Sequence, residues 1–263
     1  MKYLLIFGIF FLTTSSAQTQ TAQPATTVDS SFYIYLAMGQ SNMAGRGEVT
    51  DTYAGMEPQR VYMMDKEQNW VQAHHPVHFD KPTVVGVGPS LSFGIQMAGS
   101  HKGQKIGLVP CAVGGTSIQT WKPGAYDKVT DTHPWDDAEA RIREAMKSGV
   151  IKGVIWHQGE SDSAPEKAAH YAADLSRLID RIRDLVGNPQ LPFVAGELGH
   201  YKEVYGNINR VLVEIPEMIP FTAVASARKL EPKEDGVHFD SPSADLLGRR
   251  MAKQMKKLEK SIR

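Results

Sequence analysis

One cysteine, Cys111, is all the chain offers in 263 residues. No intrachain disulfide can form, so packing rather than covalent staples must hold the fold. No charge of either sign dominates, since 29 lysines and arginines balance 29 aspartates and glutamates. No block of like charge stands out before the Lys-rich C-terminal stretch, so nothing recommends nucleic acid or an anionic membrane as a partner. Several chemical frameworks are missing as well. There is no Gly-x-Gly-x-x-Gly after the first apolar run and no P-loop, which removes support for nucleotide binding. There is no His-Glu-x-x-His zinc motif and no Gly-x-Ser-x-Gly nucleophile elbow. Cys111 itself lies in an apolar run with no basic neighbour in sequence, which makes it a buried small hydrophobe rather than a thiol nucleophile.

Long apolar runs are scarce too, and the first is at the N-terminus. Residues 1–17 read as a secretory leader: Lys2 supplies the positive end, residues 4–12 an apolar core too short to span a bilayer, and Ser15 with Ala17 a small-x-small cleavage site. The protein is expected in the periplasm or outside the cell, off the membrane once the leader is removed. Residues 18–31 have low complexity and only Val28 as a large apolar residue, which reads as a flexible lead-in. Residues 32–263 are left as a single domain.

What remains alternates between two periods. Apolar or β-branched runs at 32–38, 60–65, 105–113, 153–156, 191–198 and 221–226 predict strands. Amphipathic spacing predicts helices over 90–100 and 134–148, after a cap at Ser163 and Glu166, and from 240 to 258. Alternation of this kind predicts one doubly wound, mostly parallel sheet with helices on both faces. His74, His75 and His78 fall in a polar stretch. Their spacing matches no helical ligand pair and no thiolate or carboxylate cluster accompanies them, so they read as exposed loop histidines rather than a metal site.

Four stretches carry candidate chemistry. The first strand runs into Gly39-Gln40-Ser41-Asn42-Met43-Ala44-Gly45, which puts a serine where open α/β sheets bind ligands, though serine is also a good helix cap. Gly114-Gly115-Thr116-Ser117 follows another strand, and paired glycines there make either an anion-binding nest or a tight turn. Trp156-His157-Gln158-Gly159-Glu160-Ser161-Asp162 follows a third. Asp235-Gly236-Val237-His238 precedes the last helix, with a carboxylate spaced to reach the imidazole, or simply a polar loop.

Together and in this order, the four stretches resemble the blocks of the SGNH/GDSL hydrolase superfamily. More narrowly they resemble the branch with carbohydrate esterase family 6 acetylxylan esterases and sialate O-acetylesterases. The resemblance implies a flavodoxin-like three-layer α/β/α sandwich. It implies Ser41 as nucleophile, His238 as base and Asp235 as its orienting acid, with an oxyanion hole from the Ser41 N–H, the Gly115 N–H and the Gln158 side chain. Glu160 is the rival or supporting acid. It implies no metal and no organic cofactor. The activity expected is removal of O-acetyl groups from carbohydrate, with acetylated xylan or its oligosaccharides as the first substrate. The alternatives are O-acetyl sialate or a non-catalytic carbohydrate-binding role. Gln40 and Gln158 stand where the wider superfamily has aspartate and asparagine, as in this esterase branch.

Overall fold

A computed structural model describes residues 28–262. The leader expected over 1–17 and residues 18–27 of the lead-in lie outside the described residues. Residues 29–31, assigned to the lead-in by their composition, open the first strand instead: β1 spans Asp29–Gly39. Its side chains alternate between two buried faces. Ile34, Leu36 and Met38 enter one core and Tyr35 and Ala37 the other. A strand covered on both sides has no polar face to show, which is why the sequence reads as an unbroken apolar run.

The remaining strands are β2 (Val61–Met64), β3 (Trp70–Gln72), β4 (Lys105–Pro110), β5 (Gly149–His157), β6 (Phe193–Gly196) and β7 (Thr222–Ala225). They form one sheet in the order β3-β2-β4-β1-β5-β6-β7. Every pairing is parallel except that of the edge strand β3 with β2. Helices α1 (Ser41–Ala44) and α2 (Asp51–Ala54) are single turns. The long ones are α3 (Pro89–Ser100), α4 (Pro134–Ala145), α5 (Pro165–Val186), α6 (Gly206–Met218) and α7 (Ser241–Ser261). α3 and α7 cover one face of the sheet, and α4, α5 and α6 cover the other. This is the flavodoxin-like three-layer sandwich. No helix among the described residues is long and apolar enough to cross a membrane.

Three local expectations need correction. α6 was not foreseen, because Gly206 opens it and Pro216 interrupts its last turn. Its apolar stripe of Ile208, Leu212 and Ile215 is nevertheless fully buried. The capping box at Ser163 and Glu166 does not form. Pro165 starts α5 after Ala164, and the Ser163 hydroxyl donates to the Gly159 carbonyl at 2.8 Å. His75 and His78 are buried rather than exposed. His78 Nε2 lies 3.1 Å from Ser90 Oγ, and His75 packs edge-on to Tyr53. Burial pulls the two imidazoles down to about 4 and about 3, so both stay neutral. Among the described residues no three His, Cys, Asp or Glu side chains are grouped to hold a metal ion.

Candidate active site

The chain leaves β1 on one side of the sheet and returns, after β4, to the other side of β1 as β5. That reversal opens a crevice at the carboxyl end of β1. Gly39 ends the strand with φ +136°, and a Cβ there would collide with the His157 carbonyl of β5. Only glycine lets β1 close on its neighbour and turn at once into α1. Ser41 is thereby set at the mouth of the crevice, buried except for its outer edge.

His238 comes from the loop before α7, 197 residues further on, yet its Nε2 lies 2.9 Å from Ser41 Oγ. Its Nδ1 lies 2.8 Å from Asp235 Oδ2. The other oxygen of Asp235 accepts the backbone N–H groups of Val237 and His238, at 2.8 and 2.9 Å. Partial burial works to raise the Asp235 carboxyl. The His238 N–H, the His238 ring and the Val237 N–H outweigh it and hold the group well below the usual carboxylate range. An ionised Asp235 fixes the proton on Nδ1 and leaves the Nε2 lone pair facing the serine hydroxyl. Serine, imidazole and carboxylate form one continuous hydrogen-bonded row, which can move a proton off Ser41 as its oxygen attacks an electrophile.

The Gly114-Gly115 turn lies beside this row. A Cβ on Gly114 would come within 3.3 Å of Ser41 Cβ, and Gly115 is exposed with φ +94° and open space where a side chain would stand. Neither the Ser41 N–H nor the Gly115 N–H makes a hydrogen bond among the described residues. Two free donors beside a serine hydroxyl can stabilise a developing oxyanion. The turn is anchored from behind. Gly114 N–H donates to Asp80 Oδ2 at 2.8 Å, and the same oxygen holds the buried Arg46 guanidinium at 2.6 Å.

The model of the family described as "Carbohydrate esterase, sialic acid-specific acetylesterase" matches residues 31–257. The chain belongs to that family. A probable carbohydrate esterase of Arabidopsis thaliana is 30% identical over 239 residues, which is 83% of this chain and 88% of that protein. An X-ray structure of an Arabidopsis thaliana protein superposes with TM-score 0.76 at 27% identity, covering 86% of this chain and 98% of the other. The crystal structure of NanS shares the fold, with TM-score 0.68 at 15% identity over 89% of this chain and 99% of its own. This carbohydrate esterase is therefore a carboxylic ester hydrolase directed at carbohydrate O-acetyl groups.

Against the sequence reading, the esterase brings Ser41, His238, Asp235 and the Gly115 turn together and places Gln158 elsewhere. Gln158 is fully buried, and its amide nitrogen donates to Thr116 O at 3.1 Å and to Asp162 Oδ2 at 2.5 Å. Its donors are spent inside the loop cluster, so the side chain braces the 116–118 segment rather than facing an oxyanion. Asp162 completes the brace by accepting Ile118 N–H at 2.9 Å and Ser117 Oγ at 2.5 Å.

Glu160 does not reach His238. Its Oε1 accepts from Asn42 Nδ2 at 2.6 Å. Asn42 in turn accepts Phe239 N–H at 2.9 Å and approaches the Val237 carbonyl at 3.3 Å. Asn42, the residue after Ser41, thus joins the loop of Glu160 to the loop of His238. Tyr201 supports the same loop, its hydroxyl donating to the Val237 carbonyl at 2.8 Å. The pinning roles of Asn42, Tyr201 and the Arg46–Asp80 pair had no sequence signature, since each depends on partners tens to hundreds of residues away.

Proposed function

We propose that this esterase is a serine O-acetylesterase with Ser41 as nucleophile, His238 as general base and acid, and Asp235 as the residue that orients the imidazole. Nε2 of His238 takes the Ser41 proton as Oγ bonds to the acetyl carbonyl carbon. The carbonyl oxygen becomes an oxyanion facing the Ser41 and Gly115 N–H groups. Collapse breaks the bond to the sugar oxygen, which leaves with the proton from His238. Water, deprotonated by the same imidazole, then cleaves the acetyl-serine ester and releases acetate. Each fixed donor in such a hole is worth about 3–4 kcal/mol of barrier. The unbroken Ser41–His238–Asp235 row at the crevice of the sheet carries this reading. It equally disfavours a role in carbohydrate binding alone, which has no use for an ordered proton relay.

The substrate is an O-acetylated sugar. The sequence leaned towards acetylated xylan, but the family description supports O-acetylated sialic acid better, and we place that substrate first. A leader over residues 1–17 would carry the enzyme out of the cytoplasm, where either glycan is met. The deciding experiment compares acetate release from O-acetyl sialic acid, acetylated xylan and acetylated pectin at equal acetyl concentration. Faster release from acetylated xylan than from the sialate would return the assignment to the acetylxylan esterase type. Release from none of the three would remove the carbohydrate reading.

A further inference from the structure

A cleft of about 760 Å³ opens beside the catalytic loop. Two of its walls continue directly from the proposed machinery: residues 46–50 follow α1, and Lys233 with Glu234 lead into Asp235. Lys233 ties these walls together. Its N–H donates to the His238 carbonyl at 2.7 Å and its ammonium to the Arg46 carbonyl at 2.9 Å. At the back of the cleft the Arg46 side chain reaches the Gly114 turn, where a Cβ would strike its guanidinium. Arg46 and Lys233 thus link the cleft to the Gly114 turn and to the His238 loop, and its size is that of a small-molecule site.

Its polar groups divide into two sets. The cations are spent internally, Arg46 on Asp80 and the Gly45 carbonyl, and Lys233 on the Arg46 carbonyl. Asp240 caps α7 by accepting Ser243 N–H at 2.8 Å. Left without an intrachain hydrogen bond among the described residues are the carboxylates of Glu48 and Glu234 and the hydroxyls of Thr50, Tyr53 and Thr83. Free carboxylates and hydroxyls beside a half-buried aromatic ring make a surface for a polyol. The carboxylates accept from sugar hydroxyls, and the ring covers an apolar sugar face. An acyl chain would desolvate the same groups for nothing in return. A second anion would meet two uncompensated carboxylates. A hollow beside Ser117 also holds a free carboxylate, Glu166, but offers no free hydroxyl and no tyrosine, phenylalanine or tryptophan ring: Lys122 and Arg177 are paired with Asp174, Lys167 with the Ser161 carbonyl, and Ser117 with Asp162.

We infer that this cleft is the sugar subsite of the esterase, and that Glu48, Thr50, Tyr53 and Glu234 hold the uncharged, hydroxyl-bearing part of the acetylated substrate. In an acidic sugar the carboxylate is then directed out of the cleft. The inference rests on the O-acetylesterase reading, and the test separates the two. Wild type, the Glu48→Gln/Glu234→Gln double variant and Val84→Trp are compared on an aryl acetate and on the best acetylated sugar. Val84 is exposed on the cleft rim, so its indole blocks the opening without disturbing the core. Both variants should lose about tenfold in selectivity for the sugar over the aryl ester, as higher KM rather than lower kcat, the mark of lost uniform binding. Unchanged sugar KM in both variants, with a wild type that deacetylates the sugar, overturns the subsite. A wild type active on the aryl acetate but on no acetylated sugar overturns the substrate reading and the subsite with it.

Discussion

Asn42→Ala removes the side chain that joins three loops, and its cost can be worked from the contacts. Asn42 is buried and gives Glu160 its only side-chain hydrogen bond among the described residues, because Glu160 Oε2 has no partner there and His157 Nδ1 stands 3.7 Å from Oε1. A hydrogen bond to a buried charge contributes about 1.5–3 kcal/mol. Phe239 N–H also loses its acceptor inside the protein, for about 1–3 kcal/mol more. The Val237 carbonyl keeps the Tyr201 hydroxyl and adds little. The expected destabilisation is about 3–5 kcal/mol, a large share of a typical domain's stability. Urea unfolding followed by tryptophan fluorescence measures it, since Trp121 and Trp156 are buried in the core. The fraction that stays folded should also turn over aryl acetate about 10² times more slowly, because a shift of about 1 Å in the His238 loop is enough. A double-mutant cycle with Glu160→Gln isolates the charged bond, and the pair should couple by at least about 1 kcal/mol. If Asn42→Ala changes stability by less than about 0.5 kcal/mol and leaves kcat within about threefold, the loops are held by something else and the argument fails.

Further outcomes follow from the same geometry. Ser41→Ala should fold normally and keep only the residual catalysis of the binding groups, so near wild-type turnover would remove the covalent route. Asp235→Asn should cost about 10⁴ in kcat with little loss of stability, whereas Glu160→Gln should cost far less activity; the reverse order would make Glu160 the orienting acid. In acid, the unfolded chain protonates His75 and His78 from about pH 6.5 downward while the folded protein holds them neutral to about 4 and about 3. The unfolded state therefore binds more protons in that window, and stability is lost as the pH is lowered, by about 3 kcal/mol from His75 alone. His75→Phe should flatten this limb between pH 6.5 and 4, and an unchanged slope in urea titrations would rule out His75 as its source.

How much of this was visible beforehand depended on whether a feature is local. β1, β4 and β5 are continuous apolar runs because both faces are covered, and a fully buried strand cannot hide in a sequence. β3 is three residues at an edge and leaves almost no trace. α6 disguised itself with a glycine start and a proline near its end. Within the site, Asp235 and His238 are three residues apart, so their pairing could be read from spacing, and Ser41 from its place after a strand. Gln158 could not be resolved the same way. A side chain beside the reaction centre and one braced behind it look identical until Thr116 and Asp162 are seen to occupy its donors. The buried histidines show the converse. A polar stretch with a proline looks exposed, yet Tyr53 and Ser90 cover it from other parts of the chain.

The 197 residues between Ser41 and His238 also bear on how the molecule comes into being. Synthesis delivers the serine at the end of the first strand and the imidazole only after six further strands, just ahead of α7. β1 sits between β4 and β5, so the sheet must take up strands on both sides before the two groups can meet. Throughout that interval the growing chain carries a hydroxyl no more reactive than that of any other serine. On the proposed mechanism, hydrolytic power arrives when the His238 loop docks beside Ser41. A chain still folding is, on that mechanism, chemically silent, and its first turnover reports that the fold is complete.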